Sequence, residues 1–158
     1  AAAAVLRHVV ADSRKEGKDF MKSGLDAVRW IDLPAVTDER GTLTAIEAMQ
    51  DIPFEVRRIF YMHHVSADRG GHAHRDTDQV VIGISGRHVI EVKDATRSLR
   101  FVLDDPNRGL YLPRMTFTNL TEFSPGAVSL VLASTHYDRS RSLRTFDDYL
   151  AALAERQA

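Results

Sequence analysis

The chain has 158 residues, 44% hydrophobic and 27% charged, enough for one domain with a substantial core and ordinary for a soluble globular protein. Its formal net charge is −1, so the surface as a whole does not invite nucleic acid or an anionic membrane. It contains no cysteine, which excludes disulfides, a thiolate nucleophile and cysteine-ligated zinc or iron–sulfur sites, and fits a cytoplasmic setting.

Residues 1–27 differ from the rest. The stretch Ala1–Val10 is apolar but has no basic leader, which argues against a secretory signal. Val5 to Phe20 has helical composition, yet Ser13, Arg14, Lys15, Glu16, Lys18 and Asp19 leave only a weak apolar stripe. We read 1–27 as an appended arm or helix and 28–158 as the main domain. No run reaches the roughly 18 apolar residues of a membrane span.

From Val28 the pattern becomes that of strands. Trp30–Leu33 is a short strand stopped by Pro34, and Asp38-Glu39-Arg40-Gly41 is a turn with Thr42–Ala48 returning from it. Glu55–Val65 is rich in β-formers and carries Tyr61, His63 and His64. Arg69-Gly70-Gly71 predicts a turn, followed by a strand over His72–His74. Gln79–Ser85 is almost continuously apolar, as for a strand buried on both faces, and Gly86 turns it into Arg87–Lys93. There His88 alternates with Ile90 and Val92, so we read it as a hydrogen-bonded core histidine. Ser98–Leu103, Leu110–Leu112, Phe117–Phe123 and Val128–Ser134 complete the strands, and Asp104–Gly109 is a loop. Thr145 predicts a helix cap, with Asp147 and Asp148 in the first turn and Phe146, Tyr149, Leu150 and Leu153 on a face that covers an open barrel end. Short strands at intervals of about 8–12 residues indicate an all-β sandwich or barrel.

The chemistry is concentrated at Arg69-Gly70-Gly71-His72-Ala73-His74. Two histidines one residue apart in a strand point to the same side, with Cβ atoms about 6–7 Å apart. The spacing His72, one residue, His74, four residues, Gln79, six residues, Gly86 resembles the first motif of the cupin barrels. That motif has a metal-binding glutamate where this chain has Gln79. In the looser second motif, Gly109 and Pro113 match, while Thr118 stands where the last metal-binding histidine is usual. An amide and a hydroxyl are poor ligands for zinc, iron or manganese. We therefore expect no metal and no cofactor, which leaves both imidazoles free for proton transfer.

A longer ordered series resembles the cupin-type sugar 3,4-ketoisomerases, which act on dTDP-4-keto-6-deoxyglucose. It includes Ile31-Asp32-Leu33-Pro34, Arg58-Ile59-Phe60-Tyr61, Arg69–His74, Asp105–Pro113, Phe123-Ser124-Pro125 and Leu130–Ser134. The similarity runs from about Val28 to Leu150. It implies a cupin (jelly-roll-like) β-barrel with a short C-terminal helix, a homodimer, and a dTDP-linked 4-keto-6-deoxyhexose as substrate. It further implies that His72 and His74 move protons between C3 and C4 of the sugar, with Tyr61 and Arg69 polarising the enediolate oxygens or orienting the sugar. Arg108 and Tyr111 lie in a matched segment and are expected to bind substrate, as are Gln79, Phe117 and Thr118. The family commonly has Trp-His where this chain has Phe117-Thr118, a site expected to face the barrel interior. Alternatives are a related 3,5-epimerase and a non-catalytic cupin that binds a sugar nucleotide.

Overall fold

A computed structural model describes residues 24–158, so the arm expected over residues 1–27 lies mostly outside the described residues. Gly24–Ala27 form a 3-10 turn whose Leu25 is 3% exposed in the interior cluster. The strands in chain order are β1 (Arg29–Asp32), β2 (Ala35–Asp38), β3 (Gly41–Thr44), β4 (Arg58–Met62), β5 (Arg69–His74) and β6 (Gln79–Ser85). They continue as β7 (His88–Lys93), β8 (Ser98–Leu103), β9 (Arg108–Leu112), β10 (Phe117–Thr121), β11 (Val128–Ala133) and β12 (Ser142–Leu143). One helix follows, α1 (Phe146–Gln157).

The all-β reading holds, as two sheets facing each other rather than one closed ring. The first sheet has the order β1-β9-β6-β11-β4 and the second β12-β5-β10-β7-β8, with all pairings antiparallel. β2 and β3 form a separate hairpin. Between the sheets, Val81, Leu110, Leu112 and Val131 from the first meet Ile90, Val92, Leu103 and Leu120 from the second. Burying this apolar surface is the main force that holds the two layers together.

β6 explains its own sequence. Val81 points to the interior, while Val80 and Ile82 point outward into a cluster with Ile31, Leu33, Ile52, Phe54 and Leu132. Both faces of the strand are covered, so the apolar run is continuous. β3 stops at Thr44, well short of the strand expected to Ala48.

α1 starts where expected. The Thr145 side chain accepts a hydrogen bond from the Asp148 amide at 3.1 Å, and two aspartates favour the positive end of the helix. Its position differs from expectation. Tyr149 and Ala152 pack with Ala73, Met115, Phe117 and Leu143, so the helix covers the outer face of the second sheet rather than an open end. Small Ala73 on the outside of β5 lets the helix approach, and the Tyr149 hydroxyl donates to the Met115 carbonyl at 2.9 Å.

The expected turn at Arg69–Gly71 is part of β5. Its two glycines adopt φ +90° and +74°, and the β5–β10 register shifts between Thr118 and Asn119. A glycine can take these angles without a Cβ penalty, so the strand kinks and continues. A Cβ on Gly70 would stand 2.7 Å from the Thr118 carbonyl oxygen. Gly70→Ala is therefore expected to destabilise the protein by about 2–4 kcal/mol, from a left-handed alanine and a clash with backbone. Urea unfolding of parent and variant measures it; a loss below about 0.5 kcal/mol would contradict the clash.

His88 is buried, but not hydrogen-bonded as expected. It is 0% exposed, neither ring nitrogen has a partner among the described residues, and its ring stacks on Phe123 at 4.9 Å. Burial pushes its pKa down to about 4, so it sits in the core as a neutral, flat, largely apolar ring.

Candidate active site

Register assigns each side chain to a face, because directly paired residues of antiparallel strands share one. In the first sheet Arg58 pairs with Ala133 and Ala133 with Gln79, which pairs with Leu112. The next row on the same face is Phe60, Val131, Val81 and Leu110, which belongs to the interior cluster. Arg58 and Gln79 therefore face the interior at one end of the sandwich.

The opposing wall comes from β5, β10 and β12. His74 pairs with Ser142, and His72 with Thr118. The two imidazole rings lie 5.0 Å apart, edge to face at 80°. Ser142 Oγ is 3.4 Å from His74 Nδ1. Thr118 faces inward beside His72, its hydroxyl donating to the Thr116 carbonyl at 3.3 Å. A cavity of about 410 Å³ opens on this end and is lined by His74, Arg58, Ser142, His136 and Tyr137 among others. His74 lines it and His72 does not.

The imidazoles are uncharged in this setting. Burial, the neighbouring His72, and the positive charges of Arg58 and Arg144 push His74 down to about 4. Burial also lowers the pKa of His72, helped by Arg144 and Arg69 and partly opposed by its backbone hydrogen bond with Gly70. A neutral imidazole is a base ready to accept a proton.

The remaining predicted residues divide. Arg69 stands exposed at the start of β5, with its charge acting on His72. Tyr61 is not brought to the histidines: it is 64% exposed on the outer face of β4, because Arg58, Phe60 and Met62 take the inner one. Tyr111 also faces outward, 6.5 Å from the Phe54 ring and 5.3 Å beneath the Arg29 guanidinium. Phe117 does not face the interior. It is 5% exposed under α1, with its ring 5.3 Å from Phe146 and 5.5 Å from Tyr149.

Arg108 is inward, but four residues along β9 from the Gln79–Leu112 row, about 13 Å away by strand rise. It lies over the Trp30 ring at 3.7 Å and does not line the His74 cavity. Arg58, Ser142 and Arg144 are additions that sequence reading passed over. Alternation ties Arg58 to the face of Phe60 and Met62, but only the pairing with β11 makes that face the inner one. Ser142 had no local signal, since it reaches His74 from 68 positions away.

Among the described residues no three His, Cys, Asp or Glu side chains converge on a metal position. The cupin-like donor positions hold His72, His74, Gln79 and Thr118, a set that does not suit a transition metal.

Residues 26–154 match the family described as FdtA: WxcM-like, C-terminal. The chain belongs to this family. It is 32% identical over 127 residues to the TDP-4-oxo-6-deoxy-alpha-D-glucose-3,4-oxoisomerase of Aneurinibacillus thermoaerophilus, a match spanning 79% of this chain and 91% of that one.

Among solved structures it is similar to QdtA, a sugar 3,4-ketoisomerase from Thermoanaerobacterium thermosaccharolyticum in complex with TDP. The TM-score is 0.81 at 34% identity, over 85% of this chain and 99% of the other. A histidine-to-asparagine variant of that enzyme, in complex with TDP-4-keto-6-deoxyglucose, matches with a TM-score of 0.79 at 34% identity, over 82% and 95%. The two-sheet fold is thus that of a cupin-like family of 3,4-ketoisomerases.

Proposed function

We propose that this protein is a TDP-sugar 3,4-ketoisomerase that moves the keto group of a TDP-linked 4-keto-6-deoxyhexose from C4 to C3 in deoxysugar biosynthesis. The observation that carries the reading is a pair of neutral imidazoles on one strand face, the second opening on a cavity that also holds a guanidinium. The family membership and the activity of the relatives support it.

The chemistry asked of the site is modest. The C4 carbonyl acidifies the proton on C3. A base removes that proton, and the electron pair forms the C3–C4 double bond as negative charge moves to O4. O4 then gains a proton while the O3 hydroxyl loses one. C4 takes up a proton as the C3 carbonyl forms. Atoms and electrons balance with no outside oxidant, so proton carriers and a stabiliser of the oxyanion suffice. His74 and His72 are assigned the proton transfers, with His74 in contact with the sugar. Gln79 and Thr118 line the interior beside them as substrate contacts.

The decisive experiment incubates the protein with TDP-4-keto-6-deoxyglucose and identifies the product by NMR. A 3-keto sugar supports the proposal. A C5-inverted sugar would instead make it a 3,5-epimerase, and tight binding without exchange of the C3 proton in deuterated water would make it a binding protein.

The same reading takes the enzyme as metal-independent, homodimeric and cytoplasmic. Support for a dimer is an apolar edge: Ile59 and Tyr61 are 60% and 64% exposed on the outer face of β4, the last strand of its sheet. Light scattering at micromolar concentration is expected to give twice the chain mass. Among the described residues no helix is long and apolar enough to cross a membrane.

A further inference from the structure

Arg58 and Arg108 both face the interior with a buried Nε that has no hydrogen-bond partner among the described residues, and of the two only Arg58 lines the cavity with His74. Arg58 lies on β4, and no carboxylate pairs with it among the described residues. Two carboxylates line the same cavity, but both are engaged elsewhere. Asp76 is clamped by Arg141, and Asp138 caps the 3-10 turn at Arg139–Arg141 by accepting from the Ser140 amide at 2.9 Å and hydroxyl at 2.6 Å. Arg58 is instead flanked by two aromatic faces, Phe60 at 5.2 Å and Tyr137 at 5.3 Å.

Aromatic rings favour a cation but accept none of its five N–H bonds in the plane of the fork. Partial burial of an uncompensated charge is costly, and it persists where an anion is to be met. Burial pulls the Arg58 guanidinium below its usual pKa, in keeping with that cost.

We propose that Arg58 binds the enediolate oxyanion that forms on the sugar beside His74, and is the catalytic residue that stabilises it. The proposal rests on the ketoisomerase reading. Position supports it: Arg58 and His74 line one cavity from opposite sheets, so a sugar seated there has a base on one side and a cation on the other. Elimination supports it too. Tyr61, expected in this role, faces out of the sandwich, and Arg69 is exposed at the far end of β5 from His74. A guanidinium held in a partly dry pocket stabilises developing negative charge with little reorganisation. Its charge also adds to burial and to the neighbouring His72 in disfavouring a proton on His74, so that the base is available as the anion forms.

The test compares the parent with Arg58→Met and Arg58→Lys. Three quantities are read: kcat for TDP-4-keto-6-deoxyglucose, the Kd of TDP by calorimetry, and the melting temperature. For Arg58→Met, kcat is expected to fall by about 100-fold or more, with the Kd of TDP within about threefold of the parent. Its melting temperature is expected to equal or exceed the parent's, because a costly buried charge is gone.

Arg58→Lys keeps the charge and is expected to retain at least about a tenth of kcat. A Met variant within about fivefold of parental kcat overturns the proposal. So does a variant that loses TDP affinity while keeping kcat, which would make Arg58 a diphosphate anchor. A lowered melting temperature with a proportionate loss of active protein would make its role structural and overturn it as well. A Lys variant that folds, binds TDP and is as inactive as the Met variant does the same. A parent that binds TDP but turns over no 4-keto sugar brings down the ketoisomerase reading itself, an outcome distinct from all of these.

Discussion

Replacing His74 with asparagine is expected to lower turnover of TDP-4-keto-6-deoxyglucose by about 10³-fold, within the range that a positioned proton-transfer group supplies. Asparagine fills much of the same volume and can keep a contact with Ser142, so the fold and TDP binding should survive. His74 lines the cavity and His72 sits behind it, so His72→Asn is expected to be the milder of the two changes. Two readouts check it: product formation by NMR, and deuterium uptake at C3 in heavy water. A His74→Asn protein that keeps more than about a tenth of parental turnover would remove His74 from the mechanism.

The second large effect is in pH dependence. An ordinary histidine, with a pKa near 6.5, would be mostly protonated at pH 5 and would cost a general base about 30-fold there. His74 is held at about 4 by burial and by the charges around it. The groups around it are His72 on its own strand, Arg58 from β4, Ser142 on β12, Arg144 just beyond β12, and the cavity residues Asp76, His136, Tyr137, Asp138 and Arg141. Hence kcat/KM is expected to stay flat from pH 8 to about 5 and to fall tenfold per unit below about 4. An acid limb centred near 6.5 would show that a different, ordinary base does the work.

Stability must be followed over the same range. The folded pKa values of His74 and His88 lie below the unfolded value, so the unfolded chain binds more protons between about 4 and 6.5. Their contribution to stability is therefore complete above about 6.5 and is lost as pH falls toward about 4. Rates measured immediately after a jump to acid separate the catalytic limb from slow unfolding.

Much of the architecture could be read locally. Strand alternation puts His72 and His74 on one side without any knowledge of what lies opposite. The two-sided apolar run of β6, the turn at Asp38–Gly41 and the Thr145 cap are likewise determined by residues within a few positions of one another. The chemistry of the donor set is also local in kind, since Gln79 and Thr118 are what they are wherever they point.

What only the tertiary structure decided is which face of each strand looks inward. β4 offers Ile59 and Tyr61 on one side and Arg58, Phe60 and Met62 on the other, and hydrophobicity alone does not choose between them. Pairing with β11 puts Arg58 inside and Tyr61 out. β10 poses the same question at Phe117 and Thr118. There α1 covers Phe117 from outside and leaves Thr118 to face His72. Ser142 reaches His74 only through the short β12–β5 pairing. The pKa of His74 depends on burial and on arginines from β4 and the chain beyond β12. A strand's period of two restricts each side chain to one of two directions, and the contacts that select between them join residues tens of positions apart.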